Sequence, residues 1–164
     1  MSGVLQVADL AGVEPSLVLT VPPEFEDENG HVNIRHYFDV HARAADRAFE
    51  ALGVDDAYRD ARGLSVFSID HRIRYLDEVL VGQDMAVYVR FLTRSAKLVH
   101  GIQALFNATT GALANTFEFV EGHVSLEQRR TVPWPDDVAA RIDAAIASGA
   151  TWPPLPHEPG LGLR

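Results

Sequence analysis

The sequence contains no cysteine, and this absence excludes several kinds of site at once. Without thiol groups the chain has no disulfide, no thiolate zinc site and no cysteine nucleophile. The absence also fits a protein that works in a reducing compartment.

The chain also has fewer positively charged than negatively charged residues. Lysine and arginine number 14 against 23 aspartates and glutamates, which gives a formal net charge of -9. Because a nucleic-acid-binding protein needs a basic surface for phosphates, we do not expect nucleic acid as a partner. A few local arginines can still bind the phosphates of a small anionic ligand.

Long apolar runs are missing too. No stretch approaches the roughly 20 apolar residues that a helix needs to cross a bilayer, and residues 1–13 lack the basic start and apolar centre of a signal peptide. We therefore expect no membrane partner and a soluble, cytoplasmic protein. We expect residues 1–164 to form one domain, with a loose N-terminal arm over about 1–15 and a C-terminal helix plus proline-rich tail over about 133–164.

One segment has a strong helical pattern. From Ile34 to Leu52, apolar side chains recur at three- and four-residue spacing, which predicts an amphipathic helix of about five turns. Asn33 is a suitable N-cap and Gly53 a suitable C-terminal stop.

Five segments alternate apolar and polar side chains as strands do. They are residues 16–21, 64–76, 84–95, 97–107 and 112–126. The last four have short connections and predict an antiparallel meander, while residues 55–63 are predicted as a turn and 136–147 as a surface helix. One long central helix against one curved antiparallel sheet of about five strands is an α+β fold. The open edges of such a sheet predict pairing with another subunit.

A polar cluster comes directly before the long helix. Residues 27–33 read Asp-Glu-Asn-Gly-His-Val-Asn, and Tyr37 follows within the first turn of the helix. The N-terminus of a helix has unpaired N–H groups and favours negative charge. The cluster is therefore a candidate site for polarising a carbonyl oxygen.

The cluster and the order of elements resemble the hotdog-fold acyl-CoA thioesterases of the 4-hydroxybenzoyl-CoA thioesterase-like family. The Asp-x-Asn-x-His-Val-Asn string is also similar to a segment of plant acyl-ACP thioesterases. The resemblance covers roughly residues 17–130. It implies a sheet wrapped around the helix, an acyl-CoA substrate, and a homodimer or dimer of dimers with active sites at the subunit interface.

The resemblance also implies roles for the residues of the cluster. Asp27 is implied to act on the thioester as nucleophile or general base, and a backbone N–H near Asn33 or Ile34 to polarise the carbonyl. The plant motif has a second asparagine where this chain has Ile34. Because of this departure, Asn29 and His31 are left open between catalysis and scaffolding.

The remaining residues of the region have structural alternatives. Gly30 is expected to permit the turn or a close approach of substrate, and Asn33 to cap the helix. Tyr37 either packs in the core or lines the acyl pocket. His71 and His100 fall on mainly apolar strand faces and are expected to be structural. No histidine spacing suits a metal, and we expect neither a metal nor a cofactor.

Three charged residues are further candidates for substrate binding. Glu118 lies inside an apolar strand, where a carboxylate needs a partner or solvent. It either joins a structural ion-pair cluster or receives a cationic acyl group, since the chain resembles a branch of the family linked to carnitine and betaine thioesters. Arg129 and Arg130 follow the last strand and are candidates for the phosphates of coenzyme A.

Acyl-CoA hydrolysis by Asp27 is the leading hypothesis. A hotdog enoyl-CoA hydratase is the second, although those enzymes usually have Asn-Pro between their aspartate and histidine and one more residue of spacing. Here Gly30 replaces any proline and His31 follows four residues after Asp27. A non-catalytic acyl-CoA-binding protein is the third hypothesis.

Overall fold

The computed structural model describes residues 5–163. The helices are α1 (Ile34–Ala51), α2 (Asp56–Arg62) and α3 (Asp136–Gly149). The strands are β1 (Leu17–Thr20), β2 (Leu64–Tyr75), β3 (Asp84–Arg94), β4 (Leu98–Asn107), β5 (Leu113–Ser125) and β6 (Arg130–Thr131). Within the described range, no helix is both long enough and apolar enough to cross a membrane.

Helix α1 forms where the spacing predicts it. Asn33 caps its start, because the Asn33 side chain accepts a hydrogen bond of 3.1 Å from the amide N–H of Arg35. Its buried stripe packs against the inner face of the sheet, and Val40 and Ala44 have no exposed surface. The predicted arrangement of one long helix against one antiparallel sheet is confirmed.

The strand order is β1-β3-β4-β5-β2, with β6 paired to β5, and neighbouring strands are antiparallel. The predicted four-strand meander is wrong at its first connection, because β2 pairs with β5 rather than with β3. Residues 76–83 carry the chain across the start of α1, where Val32 N–H donates to the carbonyl of buried Val79 over 3.0 Å. Alternation identifies strands but does not specify their neighbours.

Strand β2 contains a bulge at Ile69. Ser68 pairs with Glu121 and Asp70 with Val120, so that Ile69 has no partner and the alternation of the strand shifts by one residue. As a result His71 lies on the same face as Ser68, the inner face that packs against α1.

The outer face of the sheet is covered by both ends of the chain. Leu5 and Leu10 are buried there, and with Trp152 and Leu155 they cover an apolar patch that includes Phe106. The expected loose arm is therefore wrong for the described residues 5–15, because these leucines remove apolar surface from water. Residues 1–4 lie outside the described part of the chain.

The segment predicted as a turn over residues 55–63 contains helix α2 instead. The Asp55 side chain caps it by accepting from the Tyr58 N–H over 2.8 Å. Tyr58 is buried, and its hydroxyl lies 2.7 Å from Nε2 of His123. Seven residues are too few for a periodic pattern to be recognised, so capping and this tertiary contact determine the helix.

The C-terminal tail is held to the outer face by Glu118. The Glu118 carboxylate is 2% exposed and accepts from the N–H groups of Gly160 and Leu161 over 2.9 and 2.7 Å. Nε2 of His100 lies 2.7 Å from the same carboxylate. Burial acts to raise the pKa of Glu118, but these donors outweigh it and hold the pKa below the ordinary carboxyl value.

Replacing Glu118 by glutamine should lower the unfolding free energy at pH 7 by about 1–3 kcal/mol, since buried donors lose an anionic acceptor. Chemical denaturation with urea measures this loss, and Glu158→Gln on the exposed part of the tail is the control. Because the pKa of Glu118 is lowered in the folded state, the difference should shrink as the pH falls through the carboxyl range. Equal stabilities of the Glu118 variant and wild type at pH 7 would contradict the role of Glu118 in holding the tail.

Candidate active site

Asp27 begins a tight turn that leads into α1. Its carbonyl accepts from Gly30 N–H and its own N–H donates to the carbonyl of His31, each over 3.0 Å. Its side-chain Oδ1 accepts from Asn29 N–H over 2.8 Å. Gly30 has a φ of +80°, a left-handed backbone conformation that glycine adopts without strain. Asn29 and Gly30 therefore shape the turn through their backbone.

The Asp27 carboxylate is mostly buried, but only one of its two oxygens has contacts with protein groups among the described residues. Its side chain is 9% exposed, and the ring Nδ1 of His31 lies 3.7 Å from Oδ1. Within residues 5–163 the second oxygen, Oδ2, has no hydrogen-bond partner. A carboxylate oxygen in this state is available to take a proton from a bound water or to attack a carbonyl.

The start of α1 supplies a free backbone donor. The Asn33 side chain accepts from the N–H of Arg35, and the Asn33 carbonyl accepts from the N–H of His36 over 3.0 Å. In the described part of the chain, no protein group accepts from the N–H of Ile34. Because the helix dipole adds partial positive charge here, this N–H suits a developing oxyanion.

A small cavity of about 370 Å³ opens beside the start of α1. It is lined by His31, Val32, Ile34, Tyr37, Tyr75, Leu76, Asp77 and Glu78. The buried Tyr37 both joins the core and lines this cavity, and its ring meets Tyr75 edge-on at 5.3 Å between centroids. Burial raises the pKa of Tyr37 to about 12, so its phenol is neutral. Asp27 adjoins this cavity through His31.

A larger cavity of about 580 Å³ lies between α1 and β2. Its wall includes Phe38 and His41 of α1 and Ser68 and His71 of β2. Ile34 of the small cavity and Phe38 of the large one are four residues apart on α1, so the two cavities follow one side of the helix.

The inner end of the larger cavity contains a buried polar chain. His41 has no exposed surface, and its two ring nitrogens lie 2.9 Å from Oε1 of Gln103 and 2.6 Å from Oδ1 of Asn115. Burial lowers the pKa of His41 to about 4, so the ring is neutral at pH 7 and carries one N–H. Both amide nitrogens are buried without a partner within residues 5–163. Gln103 also contributes to the cavity wall, although the residue has no exposed surface.

Glu121 contributes a second carboxylate to this cavity. Its side chain is 9% exposed, and Oε1 accepts from Oγ of Ser68 over 3.3 Å and lies 3.0 Å from Nε2 of His71. Within the described residues, Oε2 has no partner and no lysine or arginine pairs with the group.

The wall of the larger cavity combines negative charge with aromatic rings. It has the four carboxylates of Asp46, Glu50, Asp56 and Glu121, but its one arginine, Arg59, is paired with Asp56. The Phe117 ring lies 5.7, 4.6 and 4.8 Å from the rings of Phe38, His71 and His41 respectively. Such a wall favours a cationic group.

Three of the predicted substrate contacts are not brought to these cavities. Glu118 lies on the outer face, and its carboxylate is occupied by the tail and His100. Arg129 lies over the Phe67 ring at 5.1 Å, and Arg130 donates to Gln128. These arginines follow Ser125, which pairs with the start of β2, whereas the Asp27 turn adjoins Tyr75 at the other end of β2.

The sequence reasoning missed His41, Gln103 and Glu121. A usable signal for Glu121 was present, since it stands three residues after Glu118 and so lies on the opposite face of the same strand. Which of the two faces meets α1 was not readable from alternation. His41 was recognised only as a member of the helix stripe.

The model of the family described as the thioesterase-like superfamily matches residues 21–142. The chain belongs to the thioesterase-like superfamily. The expected hotdog fold is confirmed, and so is the expected class of enzyme, an acyl-CoA thioesterase.

The chain is 32% identical over 142 residues to a betainyl-CoA thioesterase of Pseudomonas aeruginosa, and the match covers 87% of each protein. It is 33% identical over 161 residues to an L-carnitine dehydrogenase/betainyl-CoA thioesterase of Ruegeria pomeroyi, covering 98% of this chain and 32% of that one. A Staphylococcus aureus protein solved in complex with CoA shares the fold, with a TM-score of 0.79 at 23% identity. That match covers 89% of this chain and 94% of the other.

The buried His41 should make stability sensitive to acid. Its pKa is lowered from 6.5 to about 4 in the folded state, so the unfolded chain binds more protons between these values and stability falls as the pH falls. The expected loss from this group is about 3 kcal/mol between pH 7 and pH 4. Urea unfolding across this range measures it. His41→Gln should flatten the slope, whereas His36→Gln on the same helix should not, and equal slopes in all three proteins would contradict the assignment.

Proposed function

We propose that the protein hydrolyses a short, cationic acyl-CoA thioester, with Asp27 as general base or nucleophile and the N–H of Ile34 polarising the carbonyl. The observation that carries this proposal is the mostly buried Asp27 carboxylate with one free oxygen, in the turn that delivers the chain to α1. The free N–H at the start of α1 supports the second role.

In the general-base route, the free oxygen of Asp27 takes a proton from a water molecule as that water attacks the thioester carbonyl carbon. The carbonyl oxygen becomes an oxyanion and accepts from Ile34 N–H. Collapse of the tetrahedral intermediate breaks the C–S bond, and the proton taken by Asp27 goes to the leaving CoA thiolate. In the nucleophilic route Asp27 attacks the carbonyl carbon, and the C–S bond breaks to release the CoA thiolate and leave a mixed anhydride. Water then hydrolyses the anhydride, which restores the Asp27 carboxylate and releases the carboxylic acid, and the thiolate takes up the other proton of that water. The Nδ1 of His31 lies 3.2 Å from the carbonyl oxygen of Val32 and 3.7 Å from Oδ1 of Asp27, so His31 lines the site beside the carboxylate in both routes.

The cationic acyl group is supported by two independent observations. The Pseudomonas aeruginosa relative is a betainyl-CoA thioesterase, whose acyl group carries a quaternary ammonium. Because Arg59 is paired with Asp56, three carboxylates of the larger cavity, those of Asp46, Glu50 and Glu121, have no arginine of the cavity wall as a partner.

A second copy of the chain completes the site in this proposal. Strand β2 is 12 residues long, and among the described residues no strand pairs with its outer edge. Exposed apolar side chains lie around this free edge. They are Ile34, Phe38, Phe67, Ile69, Tyr75 and Leu76, each between 37% and 64% exposed. A long apolar edge of this kind pairs readily with another strand. Antiparallel pairing of two β2 strands about their middle sets Tyr75 of one copy beside Leu64 of the other.

This pairing brings the Asp27 end of one subunit to the cavity end of the other. Arg129 and Arg130, which lie near the start of β2, would approach the same mouth in such a dimer, where they would bind the phosphates of coenzyme A. In this dimer, Asp27 of one subunit therefore lies near the larger cavity and the arginines of the other subunit.

Asp27→Asn keeps the acceptor for Asn29 N–H but removes the negative charge. We expect kcat for release of free thiol from betainyl-CoA to fall by about 10²- to 10⁴-fold, since proton transfer loses its base. Glu28→Gln, the exposed neighbouring carboxylate, is the matched control and should retain activity. Full turnover by the folded Asp27→Asn variant would disprove the mechanism.

Ile69→Lys introduces a charge at the bulge in the middle of the free β2 edge, where Ile69 is 53% exposed. We expect a shift from dimer to monomer in size-exclusion chromatography with light scattering, together with loss of activity. Val18→Lys on the opposite edge strand, where Val18 is 56% exposed, is the control and should leave the dimer intact. A dimer that survives Ile69→Lys would place the interface elsewhere.

A further inference from the structure

Glu121 is a nearly buried carboxylate for which the described residues provide no permanent cation. Its contacts are a hydroxyl and an imidazole, both on Oε1. A buried anion without a counter-charge is costly, and proteins usually avoid one unless a ligand supplies the charge. Glu118, three residues earlier on the same strand, is fully occupied by contrast. The two carboxylates therefore serve different purposes.

The surroundings of Glu121 restrict the kind of cation. The aromatic ring of Phe117 stands at the centre of a group that also holds Phe38 and His71, with centroids 4.6 to 5.7 Å apart. Ring faces attract cations but accept hydrogen bonds poorly. A primary ammonium needs three acceptors, whereas a trimethylammonium group needs none. A metal ion is disfavoured, because no group of three ligating side chains occurs within residues 5–163.

We infer that Glu121, with the rings of Phe38, His71 and Phe117, forms the specificity site that binds the quaternary ammonium of the acyl group. The substrate of this site is the one given by the proposed function, on which the inference rests. The four residues distinguish a cationic acyl group from a neutral one of equal size.

The test compares betainyl-CoA with 3,3-dimethylbutanoyl-CoA, in which a tert-butyl group replaces the trimethylammonium group at nearly equal volume. Glu121→Gln should lower kcat/KM for betainyl-CoA by about 10- to 100-fold and change it by less than about 3-fold for the neutral substrate. Phe38→Leu, which removes a half-exposed ring, should lower the preference for the cation by about 5-fold.

The matched control is Glu118→Gln, which changes the same residue type on the same strand but on the outer face. It should lower stability without altering the ratio of kcat/KM between the two substrates. A Glu121→Gln enzyme that loses both activities equally, or keeps the wild-type ratio, would overturn the specificity site.

Direct binding separates this inference from the catalytic proposal. Tetramethylammonium chloride should raise the Tm of wild type, relative to sodium chloride at the same ionic strength, and should not raise that of Glu121→Gln. If the stabilisation depends on Glu121 but no acyl-CoA is hydrolysed, the cation site stands and the proposed reaction fails. If hydrolysis depends on Asp27 but neither measurement responds to Glu121, the reaction stands and the cation site is disproved.

Discussion

The packing of α1 against the inner face of the sheet is the constraint on which the rest of the structure depends. Val40 and Ala44 are fully buried at this contact, so the helix lies close to the strands that carry Val87 and Leu105. The helix leaves open space on the side that faces β2, and both cavities lie there. Its position also places the Asp27 turn and the N–H of Ile34, which has no acceptor among the described residues, at the same end of the sheet.

The two carboxylates of β5 lie on opposite faces of the strand and have different roles. Glu118 holds the tail on the outer face by accepting from two tail N–H groups and also contacts His100 of β4. Glu121 faces the cavity, and within residues 5–163 one of its two oxygens has no partner. Their chemistry is identical and they are only three residues apart. Their different uses follow from the pleat of the strand, which sends them to opposite sides.

Much of the fold was predictable from the sequence because it is set locally. The limits of α1 follow from the spacing of its apolar stripe and from the Asn33 cap, and the turn at Asp27 follows from Gly30 and its neighbours. The strand segments were recognisable by alternation, but the bulge at Ile69 shifts the alternation of β2, so that His71 shares a face with Ser68 rather than with Ile69. A bulge has no signature in alternation, since the shift appears only when the partner strand is known.

The sequence by itself determined the long helix α1, the helix α3 and the five longer strand segments, and it placed Asp27 directly before the long helix. Only the tertiary structure decided that β2 is an edge strand, that Glu121 rather than Glu118 faces the cavity, and that His41 joins Gln103 and Asn115. The physical reason is distance along the chain. His41 and its two partners are 62 and 74 residues apart, and contacts of that range depend on how the sheet curves around the helix rather than on any local pattern.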